Sequence, residues 1–414
     1  MVFVLLSGAA WTAPAPRIAA AREQSAAAGN TQARKIGARH ISDDPQALLK
    51  NARTALDAGS QAKAARILAR LPANDGASHF AAGTMLVAHN AYAAAAREFG
   101  IARQTYKDPY TAGYDETLAY VNAQDYKAAI RTANELLHEG YQTAELAEVA
   151  ATAYQKSGRT QEAYNALRLA THLNPKSEDA YVELCQMALD KDDYDLGLQI
   201  AGIGLSNLPR SGRLYLQSGV MRAMKGKFGD AEKDFAHASE LDPNEVLPDV
   251  ALGLVAMQTG NLDRAVRNLR IAVAQHPDNY LAQYWFSKAL EHSGAAPGTK
   301  EGAEVLSALE ASVRLNPNFW HSRADLGKIL LDNAKVEPAI VQLQKAADLN
   351  PTATGPLYLL AQAYRRKGDE ARARELVARV STMQADDRDA LAKTTLKNIV
   401  REGTTASRTG QVKP

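Results

Sequence analysis

Small and apolar residues recur along the chain at one long interval, and within each interval they fall on helical rather than strand spacing. Prolines stand at Pro175, Pro209, Pro243 and Pro277, each 34 residues after the last, and the step from Pro317 to Pro351 is again 34 after one gap of 40. Aligned on those prolines, Ala163, Ala231, Ala265 and Ala339 lie twelve residues earlier, Ala170, Ala238, Ala272 and Ala346 five earlier, and Gly158, Gly226 and Gly260 seventeen earlier. A period of this length is the mark of stacked supersecondary units. In the unit beginning at Val246, Asp249, Leu252, Gly253 and Ala256 share one helical stripe, after which Gly260 offers the left-handed conformation that ends a helix. Ala265, Leu269 and Ala272 then repeat at four and three on one face of a second helix, and Pro277 stops it because the residue before a proline avoids the helical region. Gly253 and Ala265 mark a tight crossing of the two helices, where a bulkier side chain would overpack. A single hairpin of this kind cannot hide its apolar face, so the copies must stack on their neighbours.

Counting outward gives ten copies, at 45–75, 76–109, 110–143, 144–177, 178–211, 212–245, 246–279, 280–319, 320–353 and 354–387. Residues 388–402, with Ala392, Leu396 and Ile399 on one stripe, read as a capping helix, and 403–414 as a polar, disordered tail. The extra six residues of the eighth copy fall in the turn between its helices (GAAPGTKEG, 294–302) and read as a tolerated insertion. At the other end, residues 1–16 carry a short apolar run and small residues without a preceding cation, a partial match to a secretory signal; 17–44 read as a linker or loose helix. The run is too short to span a membrane. Export to the periplasm or outside is the expectation from this segment, with a cytoplasmic location as the alternative.

The copies resemble the tetratricopeptide repeat (TPR) superfamily. One reads Tyr215-x2-Ser218-Gly219, Ala231-x3-Phe235 and Pro243; another reads Arg323-x2-Leu326-Gly327, Ala339-x3-Leu343 and Pro351. The resemblance implies an all-α fold, a right-handed superhelical α-solenoid of stacked antiparallel helix pairs. Departures are local: Gly197 stands for the first alanine in the copy from Glu178, Val305 does so in the lengthened copy, and Ala385 replaces the last proline. The resemblance also implies that positions 2, 5, 9 and 12 of each first helix line a concave groove that holds a partner polypeptide. Applied to successive copies, that stripe gives Leu216 and Val220, then Leu247, Val250, Leu254 and Met257, then Leu281 and Tyr284. First helices that are apolar on two faces are either buried or awaiting a partner.

Composition narrows the function further. Forty-eight Lys and Arg against 46 Asp and Glu leave a net charge of +2, so no overall field draws in nucleic acid. One cysteine excludes a disulfide scaffold, and Cys185 occupies a slot filled elsewhere by Gly219, Gly253 and Gly327, as a packing residue would. Nine scattered histidines include no metal-binding spacing, no phosphate-binding glycine loop appears, and pairs such as Asp192 with Asp193 or Asp386 with Asp387 sit where carboxylates cap helices. His138 and His172 share a register and read as surface residues. Neither an enzyme nor a cofactor is expected. The expectation is a protein or peptide partner docked in the groove, with no integral membrane span; a self-associating structural subunit of an envelope complex and a holdase for unfolded segments are the alternatives. Acidic residues cluster in the copy from Glu178 and basic ones, Arg365 to Arg379, in the last.

Overall fold

The computed structural model describes residues 44–382, and all twenty elements among them are helices. They are α1 (Pro45–Asp57), α2 (Gln61–Leu68), α3 (Gly76–Ala88), α4 (Tyr92–Ala102), α5 (Pro109–Asn122), α6 (Tyr126–His138), α7 (Ala144–Lys156), α8 (Thr160–Leu173), α9 (Glu178–Asp190) and α10 (Tyr194–Asn207). There follow α11 (Gly212–Met224), α12 (Phe228–Leu241), α13 (Leu247–Gln258), α14 (Leu262–Gln275), α15 (Tyr280–His292), α16 (Lys300–Leu315), α17 (Trp320–Asp332), α18 (Val336–Leu349), α19 (Thr354–Lys367) and α20 (Glu370–Thr382). The apolar run at 1–16, the linker, the capping helix at 388–402 and the tail at 403–414 lie outside the described residues, as do Ala385, Asp386 and Asp387.

The chain divides into two compact units with the boundary inside α9, one up to Leu184 and one from Cys185. In the first, Leu48, Leu56, Leu68, Leu86 and Phe99 form a continuous core across α1–α4. In the second, each helix packs on its pair partner and on the start of the next pair, α12 on α13, α14 on α15, α16 on α17 and α18 on α19. The small residues seen in register are core: Ala231, Ala238, Ala265, Ala272, Ala339 and Ala346 are all buried. At the helix crossing, a Cβ added to Gly253 would stand 2.4 Å from Leu269 Cγ, and one on Gly219 2.5 Å from Phe235 Cε1. These approaches leave no room for a methyl group.

Polar caps set the helix starts. Asp108, Asp125, Asp193 and Asn261 each accept the N–H of the third residue on, and Asp193 thereby does for Leu196 what its place in the sequence implies. The turns inside the pairs share a left-handed residue at the same register: Gly226 and Gly260 hold it without strain, while Asn90, Gln124, Asp192 and Ala334 hold it with φ between 56° and 61°. The insertion is absorbed in two places. Residues 293–299 form a longer turn, and α16 runs for 16 residues where α14 runs for 14.

Candidate functional site

The groove stripe lies on α11, α13 and α15, all within the second unit. Seven of its eight expected residues are core: Leu216, Val220, Leu247, Val250, Leu254, Leu281 and Tyr284 are buried, and only Met257 is half-exposed. The cause is the number of helices around α13, which packs on α11, α12, α14 and α15 at once. Both its apolar stripes are therefore used inside the stack. The apolar residues build the wall of this face, and they do not present an open apolar surface.

Further along, the same register turns polar. Positions 9 and 12 of α15 are Lys288 and Glu291, and positions 2 and 9 of α17 are His321 and Lys328. Lys288 Nζ lies 3.0 Å from Glu291 Oε2 and 3.1 Å from Asp325 Oδ2, while Lys328 Nζ lies 2.9 Å from Glu291 Oε1. The hydroxyl of Tyr284 donates to Asp325. Burial pushes the Lys288 ammonium down, but Asp325 and Glu291 together outweigh it and hold the group above its ordinary value. Glu291 shows the converse: burial raises it, and the two lysines more than reverse that. Two cations and two anions thus compensate one another across α15 and α17.

Beside them His321 is packed against Trp320, with ring centroids 3.7 Å apart, and near Phe319 at 4.9 Å. Burial, with Lys288 as a second cause, pulls its imidazole down to about 4, so it is neutral at physiological pH. Its Nδ1 has no hydrogen-bond partner among the described residues. The sequence reading missed these polar groups. The signal was present, because Lys288 and Lys328 stand 40 residues apart, the interval of the one lengthened copy.

Other candidates are structural. Cys185 is buried, its Sγ lies 3.6 Å from the Gly197 carbonyl, and burial pushes its thiol up to about 12. At Gly197 the space a Cβ would need is taken by the Met221 thioether, which accounts for the glycine in that copy. His138 and His172 are exposed. In the first unit Arg103 is held by Glu135 at 2.8 Å, with Glu116 at 3.7 Å. No group of three or more His, Cys, Asp or Glu is placed to hold a metal among the described residues. No described helix is long and apolar enough to cross a membrane.

Residues 250–298, which cover most of α13, all of α14 and α15, match the tetratricopeptide repeat family. The helix pair they contain is the one repeated through the described residues. Residues 250–298 thus carry tetratricopeptide-repeat sequence. No curated protein matches the sequence. Among solved structures, the chain is similar to yeast Tom70 at 15% identity over 88% of this chain and 90% of that one, with a TM-score of 0.48. It is similar to MamA from Desulfovibrio magneticus RS-1 at 23% identity over 42% and 94%, with a TM-score of 0.36. It is also similar to YrrB, described as a TPR protein with an unusual peptide-binding site, at 19% identity over 47% and 97%, with a TM-score of 0.35.

Proposed function

We propose that this TPR chain is a protein-interaction scaffold that docks a partner polypeptide on the first-helix face of its second unit, without chemistry of its own. The observation that carries the reading is the change along one register. Buried apolar residues on α11 and α13 give way to half-exposed Met257, then to the charged residues of α15 and α17, and then to exposed positions on α19. A rigid apolar wall that ends in a polar, partly open face is how a binding surface is held in place without prior reordering. The contact residues on this reading are Met257, Lys288, Glu291, Lys328 and Tyr358, and the seven buried residues support them from behind.

The test is site-specific photo-cross-linking in the host, with the reactive amino acid placed in turn at Met257, Lys328 and Tyr358, and at Ile203 and Ile271 on second helices. Discrete polypeptide adducts from the first three sites and none from the last two are expected. Adducts from Ile203 and Ile271 alone, or from no site, would overturn the reading. Export of the mature chain is proposed alongside it on the apolar run near Met1, and an intact Met1 in the purified native protein would refute that.

A further inference from the structure

The first-helix face of the first unit carries charge of one sign. Counted from the start of each copy, positions 2, 5, 6, 9 and 12 of α3, α5 and α7 hold Asp115, Glu145 and Glu148, and no Lys, Arg or His. Position 6 has a counterpart in the second unit. There Asp325 of α17 meets Lys288 Nζ at 3.1 Å and the Tyr284 hydroxyl, both from the preceding first helix. Asp115 holds the same register on α5, and the residues of α3 that stand for Lys288 and Tyr284 are Thr84 and Phe80. Neither supplies a cation, and the Thr84 hydroxyl donates to the Phe80 carbonyl at 3.1 Å.

Asp115 is therefore left alone. It is 6% exposed and makes no hydrogen bond or ion pair among the described residues. Burial pushes its carboxyl up to about 7, and no neighbouring cation offsets that. A buried carboxylate without a partner is costly, and an ammonium brought to it from outside would remove the cost. The spacing of the helices allows one. α1 packs on α3 and α5 on α7, whereas α3 stands off α5 as α15 stands off α17, where two lysines and two carboxylates fill the interval.

Aromatic rings and two further carboxylates border the place. The Tyr110 ring centroid lies 6.0 Å from that of Tyr114 and 5.3 Å from that of Tyr141. The Tyr114 hydroxyl is held well above its ordinary value, by burial first and then by Tyr110, Glu145, Glu148 and Asp115, so three carboxylates act on one side chain. Glu148 accepts from the Ser177 hydroxyl, while Glu145 is exposed at the start of α7; Phe80 and Tyr114 are half-exposed. Carboxylates beside aromatic rings suit an alkylammonium, whose charge pairs with the acid while its stem lies on the ring.

We propose that the α3–α5–α7 face binds a lysine-bearing segment of a partner polypeptide, with one ammonium seated between α3 and α5 on Asp115, as Lys288 is on Asp325, and a second near Glu145. The free chain bears the cost of the unpaired acid, and the complex does not. This site lies in the first unit and does not depend on the face proposed for the second.

The test is fluorescence anisotropy on the full chain with a short fluorescein-labelled peptide of alternating lysine and alanine, and with its glutamine counterpart. Binding of the lysine peptide is expected, weakened at least about tenfold in the glutamine peptide and in Asp115→Asn, which removes the charge and keeps the size. Asp190→Asn, at an exposed carboxylate of acid-rich α9, should change affinity by less than about twofold, which separates the site from diffuse attraction of a polycation. Circular dichroism checks that each variant is folded. Equal binding of both peptides, binding of neither, an undiminished affinity in Asp115→Asn or an equal loss in Asp190→Asn would overturn the proposal. Two other results would replace the occupant and so overturn it as well. If the lysine peptide binds only when Arg34, Lys35 and Arg39 are changed to Gln, the chain's own basic segment fills the site. If light scattering shows a dimer that Asp115→Asn dissociates, a second copy does.

Discussion

At position 334 an alanine holds a backbone conformation that the equivalent turns of α11–α14 give to glycine. Its φ is 57°, where an L side chain costs about 1 kcal/mol or more. Ala334→Gly should therefore stabilise the chain by about 1 kcal/mol in urea unfolding, while Gly260→Ala should destabilise it by a similar amount. The crossing at Gly253 gives a second residue-scale prediction. Gly253→Ala drives a methyl into Leu269 and should cost about 1–3 kcal/mol, and adding Leu269→Ala should cost less than the sum of the two single changes. These positions were legible in the sequence because a crossing that tolerates only glycine or alanine must repeat wherever the crossing repeats. The Cys185 and Gly197 pair was legible only in part. Cys185 fits the small buried slot the register assigns it, but Gly197 looked like a departure until the structure placed the Met221 side chain in the space an alanine methyl would take.

The first helices show where reading one copy at a time fails. Leu247, Val250 and Leu254 on α13 and Tyr358 and Arg365 on α19 occupy the same register, yet the former are buried and Tyr358 and Arg365 are exposed. Among the described residues, what separates them is the number of flanking helices, which is a property of the stack and is not written in any single copy. An all-round apolar helix was recognisable from α13, but whether a neighbour or a partner covered it was not. Within α17, His321 predicts a pH response. Its folded value lies below that of the free side chain, so the unfolded chain binds the proton first, and stability should fall as pH drops from about 6.5 to about 4, by up to about 3 kcal/mol. His321→Phe should flatten that limb of the unfolding profile. Asp115 on α5 carries the opposite sign, because burial pushes its carboxyl up to about 7. Its cost grows as pH rises from about 4 to about 7, so Asp115→Asn should stabilise the chain at pH 8 and change little at pH 3.

Over the whole molecule the net charge of +2 conceals a segregation. Acids sit on α9 and α10, a compensated network joins α15 to α17, and unpaired cations stand on α19 and α20. Charge segregated in this way gives orientation and selectivity to an encounter with a charged partner. The all-helical class was readable from the repeat, since stacking imposes the same small residues on successive copies. The site was readable only as a register, because exposure and charge pairing emerge when copies meet. The central claim is that a partner polypeptide covers the first-helix face of the second unit, and lysine acetylation of the captured complex, read by mass spectrometry, tests it most directly. Lys328 should be protected relative to the free chain, while Lys233 on α12 and Lys345 on α18, both exposed on second helices, keep their reactivity. Protection of Lys345 with Lys328 left as reactive as before would contradict the account.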